Sequence, residues 1–226
     1  MRIDILTLFP DMFMGAFEHS ILRRAQDEGL VEIHLVDFRK YSLDPHHKVD
    51  DTPYGGGCGM VLSAQPIFDC IDDIRTEDSK IILLTPDGVC YHQKFAYDFS
   101  KEKHLILICG HYEGFDERIR TLADFEISIG DYVLTGGEYA SMVLVDSIVR
   151  LLPGVIREES HQNESFNHHL LDYPSYTKPR VYRGMSVPDV LLSGDHKKIA
   201  KYRIDESIKR TKLRRPDLYK EMVDDA

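Results

Sequence analysis

Short apolar runs alternate with helical patterns through the first two thirds of the chain. The runs predict buried strands, and segments with apolar residues at every third or fourth position predict amphipathic helices. The predicted strands are 3–9, 31–37, 80–86, 104–110 and 125–130, and the predicted helices are 11–30, 63–75, 91–102, 115–123 and 138–152. Strands and helices in alternation are typical of a parallel sheet covered by helices. Residues 1–156 are therefore predicted to form an α/β domain.

The pattern changes after this domain. Residues 157–171 are polar and have few apolar positions, which predicts a flexible interdomain linker. Residues 172–226 return to helical spacing and carry 13 Lys and Arg against 9 Asp and Glu, whereas residues 1–171 carry 15 against 29. A small basic α-helical domain in a chain of net charge −10 indicates a polyanionic partner. A solvated helical face is the alternative interpretation.

Composition narrows the class of protein. The four cysteines stand singly without a CxxC pair, which favours reduced thiols in a cytoplasmic protein. No apolar run reaches the length of a membrane span, and the first residues lack the layout of a signal peptide. No HExxH or Cys/His cluster marks a metal site, and the histidine doublets at 46–47 and 168–169 are interpreted as solvated loop residues.

Three predicted strands end in glycine-rich loops, at 83–88, 109–119 and 128–140. Ligands of open α/β sheets bind beyond the carboxyl ends of the strands, so these loops are predicted to build one pocket. Neither GxGxxG nor GxxxxGK[ST] occurs, which argues against a nucleotide held by its phosphates. These loops carry acids, among them Glu113, Asp116, Asp131 and Glu138. An acid-lined, glycine-rich pocket suits a cationic, partly aromatic ligand such as S-adenosylmethionine.

Seven segments together resemble the bacterial tRNA (guanine-N1)-methyltransferases, which methylate guanine 37, next to the anticodon. They occur in the family's order and read LFPDMF (8–13), VDDTPYGGGCGM (49–60), CGHYEGFDERI (109–119), SIGDYVLTGGE (128–138), DYPSYTKP (172–179), VPDVLLSGDH (187–196) and LRRPDL (213–218). The resemblance implies an N-terminal α/β domain with a deep trefoil knot, S-adenosylmethionine as methyl donor, and tRNA as partner. It also implies an obligate homodimer whose active sites share residues of both chains.

The resemblance further implies which residues hold the methyl donor. The motifs place this role on Leu84, Pro86, Gly110, Tyr112, Glu113, Ile129, Gly130, Asp131, Tyr132, Val133, Leu134, Gly136 and Gly137. The 128–140 loop is thus expected to be a knot loop around the adenine and the methionine. Ala140 stands where the family often has proline, which predicts a slightly looser loop.

Two further residues are implied as the catalytic pair. The family uses a linker aspartate as general base and an arginine near the end of the preceding helix as its helper. Those positions are Glu164, in NESF, and Arg150, in DSIVRLL. Glutamate keeps the carboxylate but is one methylene longer, so its reach differs, and assistance by His161 is an alternative. Judged without the resemblance, Glu164 is more simply a solvated acid, and Arg150 pairs with the helix dipole.

The resemblance and the basic composition together nominate residues for the tRNA. Asp50, Tyr54 and Gly59 are expected near the guanine, and the SGDH segment is expected to offer free helix N–H groups to a phosphate. The candidates in the basic domain are Lys178, Arg180, Arg183, Ser193, His196, Lys197, Arg203, Arg210, Arg214 and Arg215. The family's dependence on a divalent ion implies Mg2+, near Glu113 and Glu164, although no metal-ligand spacing in the sequence shows it.

Two rival functions stay open at this point. One is a related knotted methyltransferase that acts on a ribose hydroxyl or on another base, for which the linker carboxylate would not be needed. The other is an RNA-binding protein that has lost catalysis, which would bind tRNA without turnover. A nicotinamide-dependent oxidoreductase is a remote third, because GxGxxG is missing.

Overall fold

The computed structural model describes residues 1–157, 164–166 and 169–224 of the 226-residue chain. His161, the alternative helper of the base, lies outside the described residues. The chain divides into two compact units, Met1–Ile156 and Arg157–Ala226, here called the N-terminal and the C-terminal unit. Each is described by itself.

A five-stranded sheet forms the centre of the N-terminal unit. The strands of this unit are β1 (Arg2–Thr7), β2 (Glu32–Asp37), β3 (Asp50–Asp51), β4 (Val61–Leu62), β5 (Ser79–Cys90), β6 (His104–Cys109) and β7 (Phe125–Ser128). The sheet has the order β2-β1-β6-β5-β7, and every neighbouring pair is parallel. Strands β3 and β4 form a separate antiparallel pair. The predicted α/β class with a central parallel sheet is therefore confirmed.

Helices cover both faces of this sheet. They are α1 (Ser20–Asp27), α2 (Ala64–Ile74), α3 (Gln93–Phe99) and α4 (Glu138–Val149), with short 3-10 helices at Pro10–Phe13, Phe38–Tyr41 and Glu117–Leu122. One apolar core joins the sheet to α1, α3 and α4, and the other joins it to α2. Alternate residues of β6 serve the two cores, because successive side chains of a strand point to opposite faces.

The predicted helix 11–30 is wrong as one continuous element. The chain forms a 3-10 helix at Pro10–Phe13 and begins α1 only at Ser20. Gly15 has φ +85° and Ser20 has φ +54°, so two residues of the predicted helix lie in the left-handed region. A right-handed helix cannot run through such residues, although the apolar spacing continues past them.

Strand β5 is longer than predicted and shifts its register against β7 between Leu84 and Val89. The two strands come very close there, because a Cβ on Gly88 would lie 2.6 Å from the backbone carbon of Glu126. Glycine is thus required where the loop after the buried part of β5 lies against β7.

A charged network is buried within the N-terminal unit, at the beginnings of β1 and β6. Asp4 is fully buried, and one of its carboxylate oxygens lies 2.6 Å from His104 Nε2 and 2.8 Å from a guanidinium nitrogen of Arg2, with which it forms an ion pair. His104 Nδ1 lies 2.7 Å from the Ser79 hydroxyl. Such a pair is expensive to break, because the group left behind stays away from water.

The C-terminal unit has a different interior. Its described elements are β8 (Val181–Tyr182), β9 (Met185–Ser186), α5 (Asp189–Leu192), α6 (His196–Arg214) and α7 (Pro216–Asp224). Among its described residues the buried ones are Ser207 and Thr211, and no apolar side chain is buried. The Thr211 hydroxyl donates to the Ser207 carbonyl at 2.7 Å and accepts from Leu171 N at 2.9 Å. Among the described residues of this unit, the fully buried positions are therefore held by hydrogen bonds.

Candidate functional site

A cavity of about 570 Å³ opens where β5, β6 and β7 end in the N-terminal unit. Its walls come from the second half of β5, which contains the first predicted loop, and from the glycine-rich loops that follow β6 and β7. The predicted convergence of the three loops into one pocket is confirmed. The volume lies in the range of small-molecule sites, roughly 300–1,000 Å³.

Most residues nominated for the methyl donor line this cavity. Twelve of the thirteen do so: Leu84, Pro86, Gly110, Tyr112, Glu113, Ile129, Gly130, Tyr132, Val133, Leu134, Gly136 and Gly137. Asp131 is exposed and is not among the lining residues. The part that each residue plays in binding stays a prediction.

The floor of the cavity is a tight crossing of two backbone segments. Gly137 N donates to the Gly110 carbonyl at 2.9 Å, and His111 and Gly136 form an isolated antiparallel bridge. A Cβ on Gly137 would lie 2.7 Å from Cys109 Cα and 2.8 Å from Gly110 N. Only glycine permits this approach of 136–137 to 109–111, so the glycines of GGE shape the floor and do not merely turn the chain.

Acids line the cavity as expected, namely Asp87, Glu113 and Glu117, but they are mostly not the acids named from the sequence. Of the four acids named from the sequence, only Glu113 lines the cavity. Asp116 instead accepts from Arg118 at 2.7 Å, and that hydrogen bond lowers the pKa of Asp116. Glu138 is turned inward and is 1% exposed, and its carboxylate accepts from the Thr7 hydroxyl at 2.8 Å.

A charged cluster that the sequence analysis missed forms another part of the wall. Arg120 lines the cavity and pairs with Asp87 at 2.8 Å, with Glu117 at 3.1 Å, and with Glu126. Burial lowers the pKa of Arg120, but attraction to the three carboxylates outweighs burial and leaves the pKa raised. Asp87 also accepts from the Thr85 hydroxyl, which is the main reason that its pKa is lowered. The cluster ties together the second half of β5, the 3-10 helix and β7.

Aromatic rings form one edge of the cavity. The Phe9 ring lies 4.9 Å from the His111 ring, which lies 5.4 Å from the Tyr112 ring. Tyr112 has φ +57°, an uncommon conformation for a residue with a side chain. Burial first and then the charge of Asp50 raise the pKa of Tyr112, while Arg39 lowers it. Asp50, which was nominated for the guanine, is therefore close enough to act electrostatically on a lining residue.

The other two residues nominated for the guanine lie in the same long loop. Gly59 has φ +83°, and a Cβ there would lie 2.4 Å from Cγ of Glu113. Tyr54 is fully exposed at the loop tip, among glycines with positive φ. The structure thus brings Gly59 to the cavity wall and leaves the Tyr54 ring in solvent.

The two catalytic candidates belong to different units. Arg150 is half-buried in the N-terminal unit and caps the carboxyl end of α4. Glu164 is half-buried in the C-terminal unit, in a short turn with Ser165 and Phe166. Asp172 N donates to Ser165 Oγ at 3.0 Å, and Phe166 N donates to the Leu170 carbonyl at 2.7 Å. These bonds fix the backbone beside Glu164.

The SGDH segment does not offer the free N–H groups that were expected. Asp195 caps α6, and one carboxylate oxygen accepts from Lys197 N and Lys198 N at 3.1 Å each. These hydrogen bonds lower the pKa of Asp195. An anion would have to displace this carboxylate to reach these two N–H groups, and phosphate binding by SGDH stays a prediction. Ser193 ends α5 and His196 begins α6, and both are exposed.

The basic candidates of the C-terminal unit differ in their surroundings. Arg203 lies over the Tyr173 ring, 4.7 Å from its centroid. Arg215 pairs with Asp217, which raises the arginine's pKa. Arg214 is exposed at the last position of α6. A guanidinium group that stacks on a tyrosine ring can also stack on a nucleobase or pair with a phosphate.

The described part of the chain contains neither a cluster of metal ligands nor a membrane-spanning helix. Across 1–157, 164–166 and 169–224, no group of three or more His, Cys, Asp or Glu side chains could hold a metal ion. Within the same ranges, no helix has the length and apolar character needed to cross a membrane.

Comparison with known proteins bears on the identity of this chain. The family model described as tRNA (Guanine-1)-methyltransferase TrmD matches residues 1–221. A tRNA (guanine-N(1)-)-methyltransferase of Geobacillus kaustophilus is 59% identical over 225 residues, which are 98% of this chain and 92% of the relative. Proteins of the same name from Shouchella clausii and Dictyoglomus turgidum are 57% and 54% identical, over 97% and 96% of this chain and 92% and 89% of theirs. The chain belongs to the tRNA (guanine-1)-methyltransferase family.

Proposed function

We propose that this protein transfers a methyl group from S-adenosylmethionine to N1 of guanine 37 in tRNA. The observation that carries the proposal is the convergence of three glycine-rich loops on one cavity, in a chain of the tRNA (guanine-1)-methyltransferase family. Relatives with more than half of their residues identical are named for methylation of guanine in tRNA. A cytoplasmic location, a knot in the N-terminal unit and a homodimer are part of the same proposal.

The cavity fits an adenosyl and methionyl ligand. Leu84, Ile129 and Leu134 provide apolar surface for a purine, and the Gly136–Gly137 floor brings backbone groups within reach of its edge. Glu113 provides a negative charge suited to a cationic donor. When bound, S-adenosylmethionine supplies an electrophilic methyl group. No cluster of three acidic, histidine or cysteine ligands occurs in the described part of the chain, so we derive no step through Mg2+.

Two side chains act on the guanine in this proposal. N1 carries a proton at neutral pH, so Glu164 takes that proton as the methyl group is transferred. Negative charge develops on O6 as the proton leaves N1, and the Arg150 guanidinium stabilises it by donating hydrogen bonds until the methyl group has bonded to N1. Removal of a general base typically costs about 10²- to 10⁴-fold in rate.

The direct test is methyl transfer from labelled S-adenosylmethionine to a tRNA transcript that carries G37, beside the same transcript with A37. Label on the G37 transcript alone supports the proposal. Label on both means that another position or a ribose hydroxyl is the acceptor. Label on neither, with tRNA still bound, favours an RNA-binding protein without catalysis.

Substitutions then separate the two catalytic roles. Glu164→Gln should abolish turnover and leave the dissociation constant of the donor nearly unchanged. Arg150→Ala should lower kcat more than it weakens donor binding, as seen in single-turnover kinetics. Turnover by Glu164→Gln at the wild-type rate would rule out this residue as the base.

Mixed dimers test whether an active site draws on both chains. If Arg150 of one chain acts with Glu164 of the other, a dimer of one Arg150→Ala chain and one Glu164→Gln chain has one intact site and one doubly altered site. If both residues act within one chain, each site of that dimer is damaged. Activity recovered on mixing the two inactive variants supports shared sites, and no recovery in verified mixed dimers contradicts them.

The basic C-terminal unit is proposed to hold the tRNA through its phosphates. Replacement of Arg214 and Arg215 by glutamate should weaken tRNA binding. It should also flatten the dependence of affinity on salt, by about one unit of slope for each phosphate that is no longer bound. Unchanged affinity at moderate salt would contradict this role. Lys94→Glu, on the N-terminal unit, serves as the charge control.

A further inference from the structure

Glu138 is a buried acid beside the cavity whose side chain does not line it. It begins α4, where the helix dipole favours a negative charge. Its Oε1 accepts from the hydroxyl of Thr7, a fully buried residue at the end of β1, at 2.8 Å. A buried carboxylate needs such partners, because water no longer solvates it. The pair joins the end of a central strand to the helix that follows the cavity floor.

Glu138, one member of this pair, packs against the cavity floor. Gly136 and Gly137 directly precede Glu138, and both line the cavity. A Cβ on Gly136 would lie 2.3 Å from Oε2 of Glu138 and 2.8 Å from Cδ2 of His111. The Glu138 carboxylate and the His111 imidazole therefore pack against the same glycine, Gly136. A displacement of Glu138 would shift Gly136 and with it the cavity floor.

Thr7, the other member of the pair, is hydrogen-bonded to the backbone of the aromatic edge. Thr7 Oγ1 accepts from Phe9 N at 2.9 Å while its hydroxyl proton goes to Glu138. The Phe9 ring packs on His111, which lines the cavity. Contacts thus lead from Glu138 through Thr7 and Phe9 to His111, and from Glu138 through Gly136 back to His111.

We propose that Thr7 and Glu138 are positioning residues that set the affinity of the cavity for the methyl donor. They hold the Gly136–Gly137 floor and the His111 ring at fixed separation, and neither touches the reacting atoms. The inference rests on the proposed donor site. It predicts an effect on donor binding and on the KM for the donor, with little effect on kcat at saturating donor.

Two substitutions at Thr7 test the hydrogen bond. Thr7→Val keeps the branched shape and removes the hydroxyl, whereas Thr7→Ser keeps the hydroxyl and removes a methyl group. Calorimetry with S-adenosylhomocysteine should show a dissociation constant about tenfold higher for Thr7→Val and within about twofold of wild type for Thr7→Ser. The KM for the donor should change in parallel, and kcat should stay within about twofold.

A purely structural role would give a different result. Thr7→Val would then melt at a lower temperature but bind S-adenosylhomocysteine with wild-type affinity, and that result would overturn the proposal. If Thr7→Val fails to fold, Glu138→Gln and Glu138→Ala are compared instead. The amide oxygen of Glu138→Gln still accepts from the Thr7 hydroxyl, so its affinity for S-adenosylhomocysteine should stay within about threefold of wild type. Glu138→Ala has no acceptor, so its affinity should fall about tenfold or more. Equal binding by Glu138→Gln and Glu138→Ala would also overturn it. Failure of the wild-type protein to bind S-adenosylhomocysteine would instead remove the proposed donor site itself.

Discussion

Substitution of Gly137 by alanine puts one methyl group into the backbone crossing under the cavity. Gly137 has φ −81°, an ordinary value for alanine, so backbone strain contributes nothing. The added Cβ would lie 2.7 Å from Cys109 Cα, where contacts between carbon atoms are normally about 3.5–4.0 Å. Both segments are backbone, so one must move by most of an ångström and stretch the 2.9 Å bond from Gly137 N to Gly110 O.

The magnitude follows from these two changes. Overpacking of this kind costs about 1–3 kcal/mol, and the weakened hydrogen bond adds about 1 kcal/mol. The free energy of unfolding should fall by about 2–4 kcal/mol in total, which corresponds to a Tm lower by roughly 4–16 °C for a chain of this size. Donor affinity should fall about tenfold or more, because the displaced segment is the cavity floor.

A second glycine provides the matched control. Gly56 has φ +78° and open space around its Cα, so Gly56→Ala should cost about 1–2 kcal/mol through backbone strain alone and leave donor binding unchanged. Thermal denaturation and calorimetry with S-adenosylhomocysteine measure both quantities for both variants. Donor binding by Gly137→Ala at the wild-type level would refute the argument that this crossing shapes the cavity.

Two further predictions concern charge and stability. Asp4→Ala should lower the free energy of unfolding by about 1–3 kcal/mol in urea titrations, because it leaves the buried His104 ring nitrogen without its hydrogen-bond partner. Asp98→Ala, which removes an exposed partner of Lys101, should cost at most about 1 kcal/mol, and equal costs would contradict the reasoning. The hydrogen bond from Arg118 lowers the folded-state pKa of Asp116, so its contribution is present above the unfolded pKa of about 3.9 and is lost as pH falls through the folded value. Tm should therefore fall less steeply from about pH 5 to pH 3 in Asp116→Asn than in wild type, and parallel curves would count against this pair.

Strands and the pocket could be predicted from local pattern. The β6 run HLILIC is apolar throughout because both faces of the strand are covered, and such runs stand out in a sequence. The pocket followed from loops that come after neighbouring parallel strands, whose carboxyl ends meet at one edge. The spacing rule ignores backbone conformation, which is why it predicts one helix over 11–30. The break could have been anticipated at Gly15, because glycine readily adopts the positive φ that interrupts a right-handed helix.

Side-chain direction and distant partners could not be predicted in this way. Glu138 follows two glycines of the cavity floor, yet it turns away because Thr7, 131 residues earlier, offers a hydroxyl. Arg120 meets Asp87 across 33 residues, and although Asp87 lies in the predicted pocket loop 83–88, nothing local marks Arg120 as a cavity residue. Asp195 is different: an aspartate just before a helix is a preferred cap, and that rule alone argues against free N–H groups there.

The hydroxyl-centred interior of the C-terminal unit has a thermodynamic consequence. The heat capacity of unfolding grows with the apolar surface that becomes exposed, and polar surface reduces it. With Ser207 and Thr211 as its buried residues among those described, this unit should unfold with a small heat-capacity change. Its stability curve would then be shallow, so a change of growth temperature would alter its folded fraction little. Occupancy by a bound partner would have the larger influence, because each tenfold excess of ligand over its dissociation constant adds about 1.4 kcal/mol to the folded state.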